Sequence, residues 1–187
     1  MFNPLREIYD AVKDADRATN DKVRAWCNRH YGFAIPTEEA IKKIASYAPI
    51  VEIGAGLGYW ASLIWRHGGA HIDCYDTGEQ GEGNKWGNFH HHVYQAPASA
   101  VLRGNNPFRR SQTLLLIWPS VKDNGKVVSD CLDRYEGNTI LYVGEFEGIN
   151  GWDKRLETEW YVRGMVTIPC WPCFHDALYI LERKNGI

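Results

Sequence analysis

The sequence predicts an α/β fold, an open and mostly parallel sheet with helices on both faces. Three observations predict it. From Pro49 onward, short apolar runs alternate with stretches of helical periodicity. The runs "QTLLLIWP" and "TILYVGE" are apolar without alternation, as strands covered on both faces are. A turn with glycine at every second position, Gly54, Gly56 and Gly58, joins the first such run to the first helix after it.

The first 48 residues read as a helical cap on a core formed by 49–187, the two together making one domain of 187 residues. "PLREIYDAVKDAD" spaces Leu5, Ile8, Tyr9 and Val12 at helical intervals. "NDKVRAWCNRHYG" opens on Asn20 as an N-cap and closes on Gly32. "IPTEEAIKKIASYA" places Thr37 as an N-cap, with Glu38 and Glu39 in the first turn, where the helix dipole favours carboxylates. "IVEIG" is then the first strand, and "GYWASLIWRHGG" a helix ended by Gly68 and Gly69. "HIDCYD" is the second strand and "HHVYQA" a third. "QTLLLIWP" is the fourth, followed by the helix "VVSDCLDRYEG", which closes at Gly137, and by "TILYVGE" as the fifth. After the short helix "KRLETEW", the runs "YVRGMVTIP" and "DALYILER" make a final antiparallel pairing. The stretch "TGEQGEGNKWGN" is long and irregular, as a mobile lid would be.

Composition narrows the function. Hydrophobic residues at 44%, charged residues at 24% and a net charge of −2 are ordinary globular values, without the basic surplus of a dedicated nucleic-acid or membrane binder. Arg109 and Arg110 are the densest basic spot and read as a solvated surface. Five scattered cysteines and the absence of a long apolar segment point to a reduced, cytoplasmic protein. Aromatic residues at 13%, eight of them Trp, suit a core and also pockets for flat or cationic ligands.

In an open sheet of this kind, ligands sit at the carboxyl ends of the strands. Glycine at the first turn permits positive φ and lets a ligand approach the backbone. A dinucleotide fingerprint G-x-G-x-x-G would need glycine where Tyr59 stands. What stands there is E-x-G-x-G-x-G, beginning at Glu52 and running through Ala55, and the second strand ends in Asp76. A carboxylate at that point can accept hydrogen bonds from both hydroxyls of a ribose.

These features resemble the first motif of class I, Rossmann-like, S-adenosylmethionine-dependent methyltransferases. A narrower resemblance, carried by "IPTEEAI", "VEIGAGLGYWA", "YDT", "LLLIWPS", "YVGE" and "IPCWPCFHDALYILER", is to a group of small methyltransferase-like proteins. The resemblance implies a Rossmann-like methyltransferase fold, a mostly parallel doubly wound sheet with a final antiparallel strand and N-terminal helices. It implies S-adenosylmethionine as cofactor, held by Glu52, Gly54, Ala55, Gly56, Gly58, Tyr59, Asp76 and Thr77, with Gln95 placed to read an adenine. In such proteins the segment before the first strand folds over the cofactor, which makes Tyr31, Phe33, Ile35 and Pro36 contacts or plain core. Amino-methylating members carry N/D-P-P-Y/F at the end of the fourth strand. Here Trp118-Pro119-Ser120 departs from that pattern and speaks against methylation of DNA bases. Trp118 can instead stack on a flat substrate, face a methylsulfonium, or close the core.

Glu145 ends the fifth strand and, with His175, is a candidate general base, Asp176 being a weaker one; Glu147 reads as a solvated loop acid. The groups His90-His91-His92 and Cys170-x-x-Cys173 with His175 and Asp176 raise zinc and redox chemistry. Adjacent histidines on a strand alternate faces and there is no second C-x-x-C, so loop packing is favoured over a metal. The methyl acceptor is left open, with a small molecule favoured over protein or RNA. The rival readings are a non-catalytic binding or regulatory protein, an enzyme that uses or cleaves S-adenosylmethionine in another way, and a dinucleotide oxidoreductase, which the Tyr59 spacing opposes.

Overall fold

A computed structural model gives the architecture and describes residues 1–78, 89–103, 107–119, 126–146 and 153–184. Most of the expected lid (79–88), together with Ser120 and Glu147, lies outside the described residues.

Three helices lead: α1 (Pro4–Val12), α2 (Arg17–His30) and α3 (Glu38–Ala45). The core follows as β1 (Ile50–Ile53), α4 (Tyr59–Leu63), β2 (Ile72–Asp76), β3 (Tyr94–Gln95), α5 (Ala98–Val101), α6 (Pro107–Ser111), β4 (Thr113–Ile117), α7 (Lys126–Leu132), β5 (Thr139–Gly144), α8 (Arg155–Thr158), β6 (Trp160–Thr167) and β7 (Ala177–Arg183). They form one seven-stranded sheet in the order β3-β2-β1-β4-β5-β7-β6. β1, β2, β3, β4 and β5 pair in parallel, and β7 runs antiparallel to both β5 and β6. This is a Rossmann-like α/β sheet with one reversed strand near its end, as the sequence predicts.

Both faces of the sheet are covered. Ile50, Leu115, Leu141, Leu178 and Ile180 pack under α1, α3 and α4, with Leu5, Ile41 and Ile44 among the buried partners. Val51, Leu114, Leu116, Ile140 and Leu181 pack on the opposite face with α5, α7 and α8. The strand order reverses between β1 and β4, and such a switch point opens a crevice at the carboxyl ends of the strands.

Several expectations shift by local chemistry. α2 begins earlier than predicted, because the Asp16 carboxylate accepts from the Thr19 N–H at 3.1 Å and takes the N-cap. Asn20 is instead buried inside the helix and donates to the Ala15 carbonyl. Thr37 caps α3 as expected, accepting from the Ala40 N–H. α4 continues as a π-helical turn over Ile64–Gly68 and stops at Gly69, φ 67°. The third strand holds only Tyr94–Gln95 and leaves the three histidines outside it. α7 ends at Leu132, short of Gly137. Beyond it, the buried Tyr135 hydroxyl donates to the Gln112 and Thr139 carbonyls and accepts from the Leu114 N–H. Nor is Arg109 a solvated charge: it donates to Asp73 at 3.0 Å, to Gln112, and to the Tyr75 hydroxyl.

Candidate functional site

The glycine turn after β1 divides into two halves. Gly54, Ala55 and Gly56 are partly exposed, and the residues from Leu57 to Trp60 are buried. Gly54 (φ 79°) and Gly56 (φ 56°) occupy the left-handed region, and a Cβ added at either would meet no atom of the described residues within 4 Å. That is open space lined by backbone, a cradle a ligand can enter. Gly58 (φ 70°) differs, because its Cβ would lie 3.0 Å from the His91 Cβ and 3.1 Å from Val93. Its glycine is required by the segment that crosses it, where His90 N–H also donates to the Leu57 carbonyl. The turn is stitched to β2 by the Gly54 and Ala55 N–H groups, which both donate to the Tyr75 carbonyl.

Asp76 ends β2 beside this cradle and is 6% exposed. Its Oδ2 accepts from the Gly56 N–H and its Oδ1 from the Gly78 N–H, both at 2.9 Å. The two bonds fix the carboxylate plane. Gln95 pairs with Asp76 across β2 and β3, and its amide donates to the Thr77 carbonyl at 3.1 Å. Glu52, central in the buried β1, is 2% exposed and accepts from the Cys74 thiol. Burial pushes its carboxyl up to about 8 against the lowering bond from the Cys74 thiol, with a smaller upward push from the Asp76 charge, so it carries its proton at neutral pH.

Tyr59, which the resemblance implies as a cofactor contact, directs its side chain toward the N-terminal helices. It is buried, its hydroxyl donates to Asn3 Oδ1 at 2.7 Å, and its ring meets Tyr31 and His90. The segment before β1 does fold back over the sheet, held by its carbonyls: Trp171 Nε1 donates to Phe33, Trp60 Nε1 to Ala34 and Asn3 Nδ2 to Pro36. Ile35 and Pro36 are buried there as core, and Tyr31 and Phe33 are left partly exposed.

A second group gathers where β4 and β5 end. Trp118 follows β4 with φ 46° and donates from Nε1 to Asp176 Oδ1 at 2.7 Å. Its ring lies 3.7 Å from Phe33 and 5.6 Å from Phe174, centroid to centroid. Asp176 is 3% exposed, and burial raises its carboxyl to about 6 against the lowering effect of the indole N–H. Glu145, after β5, accepts from the His175 N–H at 2.9 Å. The His175 side chain is 89% exposed, with Nδ1 3.7 Å from Glu145, and so stands at the surface rather than in a crevice. Phe174 and Arg24, whose guanidinium lies 5.0 Å from the Phe174 ring, join this group with no signal in the sequence. Nearness to the C-x-x-C motif alone could have drawn attention to Phe174. Among the described residues no group of three or more His, Cys, Asp or Glu is gathered as a metal site. Nor is any helix there long and apolar enough to cross a membrane.

No known family profile matches the chain, and no curated protein does. Solved structures do. The O-methyltransferase from Bacillus cereus in complex with SAH is similar at a TM-score of 0.52 and 12% identity, over 95% of this chain and 96% of that one. An O-methyltransferase family protein from Burkholderia thailandensis is similar at 0.50 and 10% identity, over 91% and 60%. A protein of the NADB-Rossmann superfamily from Streptococcus agalactiae is similar at 0.51 and 9% identity, over 82% and 72%. The chain shares the Rossmann-like fold of these structures.

Proposed function

We propose that this chain, built on the class I methyltransferase fold, binds S-adenosylmethionine and transfers its methyl group to a small-molecule acceptor. The observation that carries the reading is the open cradle at Gly54–Gly56 with the pinned carboxylate of Asp76 at its side. The residues present fit the cofactor: the left-handed glycines leave the room, and Asp76 sets a carboxylate, the group that answers ribose hydroxyls, beside it at the end of β2. Gln95 lies next to Asp76 on the sheet edge and supplies an amide for the base. When bound, the cofactor supplies a methyl group on a sulfonium, already a good leaving group.

The chain's own part is therefore positioning and proton handling. Gly56 and Gly78 hold Asp76 before any ligand arrives, so little ordering remains to be done on binding. Glu52 stays protonated and keeps a second negative charge away from Asp76. Glu145, fixed by the His175 N–H, is the group to accept a proton from the acceptor. Five cysteines without a disulfide among them suit a reduced, cytoplasmic setting.

A second reading, a binding protein without transfer activity, draws on Trp118. An indole packed on Phe33 stands where amino-methylating relatives carry an acceptor side chain. Methyl transfer to any acceptor removes that reading.

Calorimetric titration with S-adenosylmethionine and S-adenosylhomocysteine, on wild type and on Asp76→Ala, tests the proposal. The expected result is micromolar binding that falls by about tenfold or more in the variant, about 1.4 kcal/mol. Failure of the wild type to bind either ligand reduces the likeness to shared ancestry of the fold.

A further inference from the structure

We propose that the aromatic cluster of Phe33, Trp118 and Phe174, backed by Asp176 and Glu145, is a subsite for an organic ammonium group. Assigning that group to the methyl acceptor rests on the function proposed above.

The first observation is backbone strain. A bulky residue at φ 46° is an outlier, and it persists only where its surroundings hold it. The Trp118 N–H keeps the rung to the Val143 carbonyl at 2.8 Å, so β4 is still paired where the chain turns. What holds the turn is the side chain, through the bond from Nε1 to Asp176 and the contact with Phe33.

The second observation is an orphan. Asp176 is 3% exposed, and its Oδ2 is screened from solvent with no hydrogen-bond partner among the described residues. A buried carboxylate oxygen left this way is costly unless a cation answers it. Among the described residues no Lys or Arg reaches Asp176. Arg24, whose guanidinium lies over the rings of Phe174 and Phe33, is paired with Asp21 at 3.1 Å.

The chemistry of the cluster then selects its ligand. Arg24 shows that these ring faces already attract positive charge from the α2 side. A carboxylate accepting from an indole N–H pushes electron density into the ring and strengthens its attraction for a cation. Because Oδ2 is shielded from water, its charge acts across a low dielectric. An ammonium with apolar substituents satisfies ring faces and carboxylates together. An anionic acceptor would meet Asp176 and Glu145 as like charges, and a neutral one would leave them unanswered.

The test uses choline as probe, against its uncharged carbon analogue in which a quaternary carbon replaces the nitrogen. Binding is followed by the indole N–H resonances of the labelled protein, that of Trp118 identified by Trp118→Phe. Choline is expected to shift the Trp118 resonance saturably and the analogue is not. Phe174→Leu and Asp176→Asn should each weaken choline by about tenfold. No saturable shift, an equal response to both probes, or unchanged affinity in Phe174→Leu overturns the proposal. Phe174→Leu decides alone if Asp176→Asn does not fold. Repeating the titration with S-adenosylmethionine or S-adenosylhomocysteine present separates two sources of the cation. Choline bound beside both supports the acceptor. Displacement by the sulfonium compound alone assigns the cluster to the cofactor and overturns the acceptor assignment. Selective choline binding in a protein that binds neither adenosyl compound sustains the subsite and removes the methyltransferase reading instead.

Discussion

Gly56 and Gly58 sit two residues apart with similar φ, and they answer to different demands. A Cβ at Gly56 points into open crevice, so Gly56→Ala should cost folding only the left-handed strain of about 1 kcal/mol. Its main effect should fall on S-adenosylmethionine affinity. Gly58→Ala adds a clash with His91 and Val93, and a further loss of about 1–3 kcal/mol of stability is expected. Denaturant titration and calorimetry on both variants separate the two roles. Glu52 makes a prediction in pH. Its carboxyl rises from an ordinary value of 4.5 to about 8 on folding, so within that window the folded chain keeps a proton that the unfolded chain has lost. Stability contributed by this group therefore falls as pH rises, by up to about 1.4 kcal/mol per pH unit. Glu52→Gln should remove that slope and gain on wild type between pH 4.5 and 8, measured by denaturation at a series of pH values.

Among the elements, α3 and the π-helical end of α4 come together closely. A Cβ on Gly68 would lie 2.5 Å from the Ala45 Cβ on α3, closer than any real contact. Gly68→Ala must push the two helices apart, and a loss of about 2–3 kcal/mol is expected in thermal or denaturant unfolding. The paired glycines at 68 and 69 read in sequence as a helix stop. Only Gly69, at φ 67°, is the stop, and Gly68 is there for close approach. The same division appears at Gly137, whose Cβ would lie 2.4 Å from the Tyr135 hydroxyl. It makes room for a ring that ties β4 to β5, and the helix has ended before it.

Over the whole molecule, the N-terminal helices share the core of the sheet rather than merely lying on it, and Asn3 is where they are tied. Its carboxamide caps α1 through the Arg6 N–H, accepts from the Tyr59 hydroxyl and donates to the Pro36 carbonyl, at 4% exposure. Asn3→Ala removes a cap and leaves two buried groups unsatisfied, so a loss of about 2–3 kcal/mol is expected in denaturant unfolding. The same knot explains why Tyr59, adjacent to the glycine turn in sequence, faces the helical cap and not the crevice.

The sequence by itself determined the strands and their sheet, because unbroken apolar runs such as "TLLLI" can be satisfied only between two covered faces. It also determined the cradle, since a left-handed turn at Gly54 and Gly56 is a property of the local backbone, and Asp76 follows from where β2 stops. Tertiary structure alone decided which residues meet. Phe33 and Phe174 reach Trp118 from opposite ends of the chain. Periodicity and turn chemistry act over a few residues and leave a mark in sequence. Contacts made by packing depend on how distant segments are brought together, and no local pattern records them.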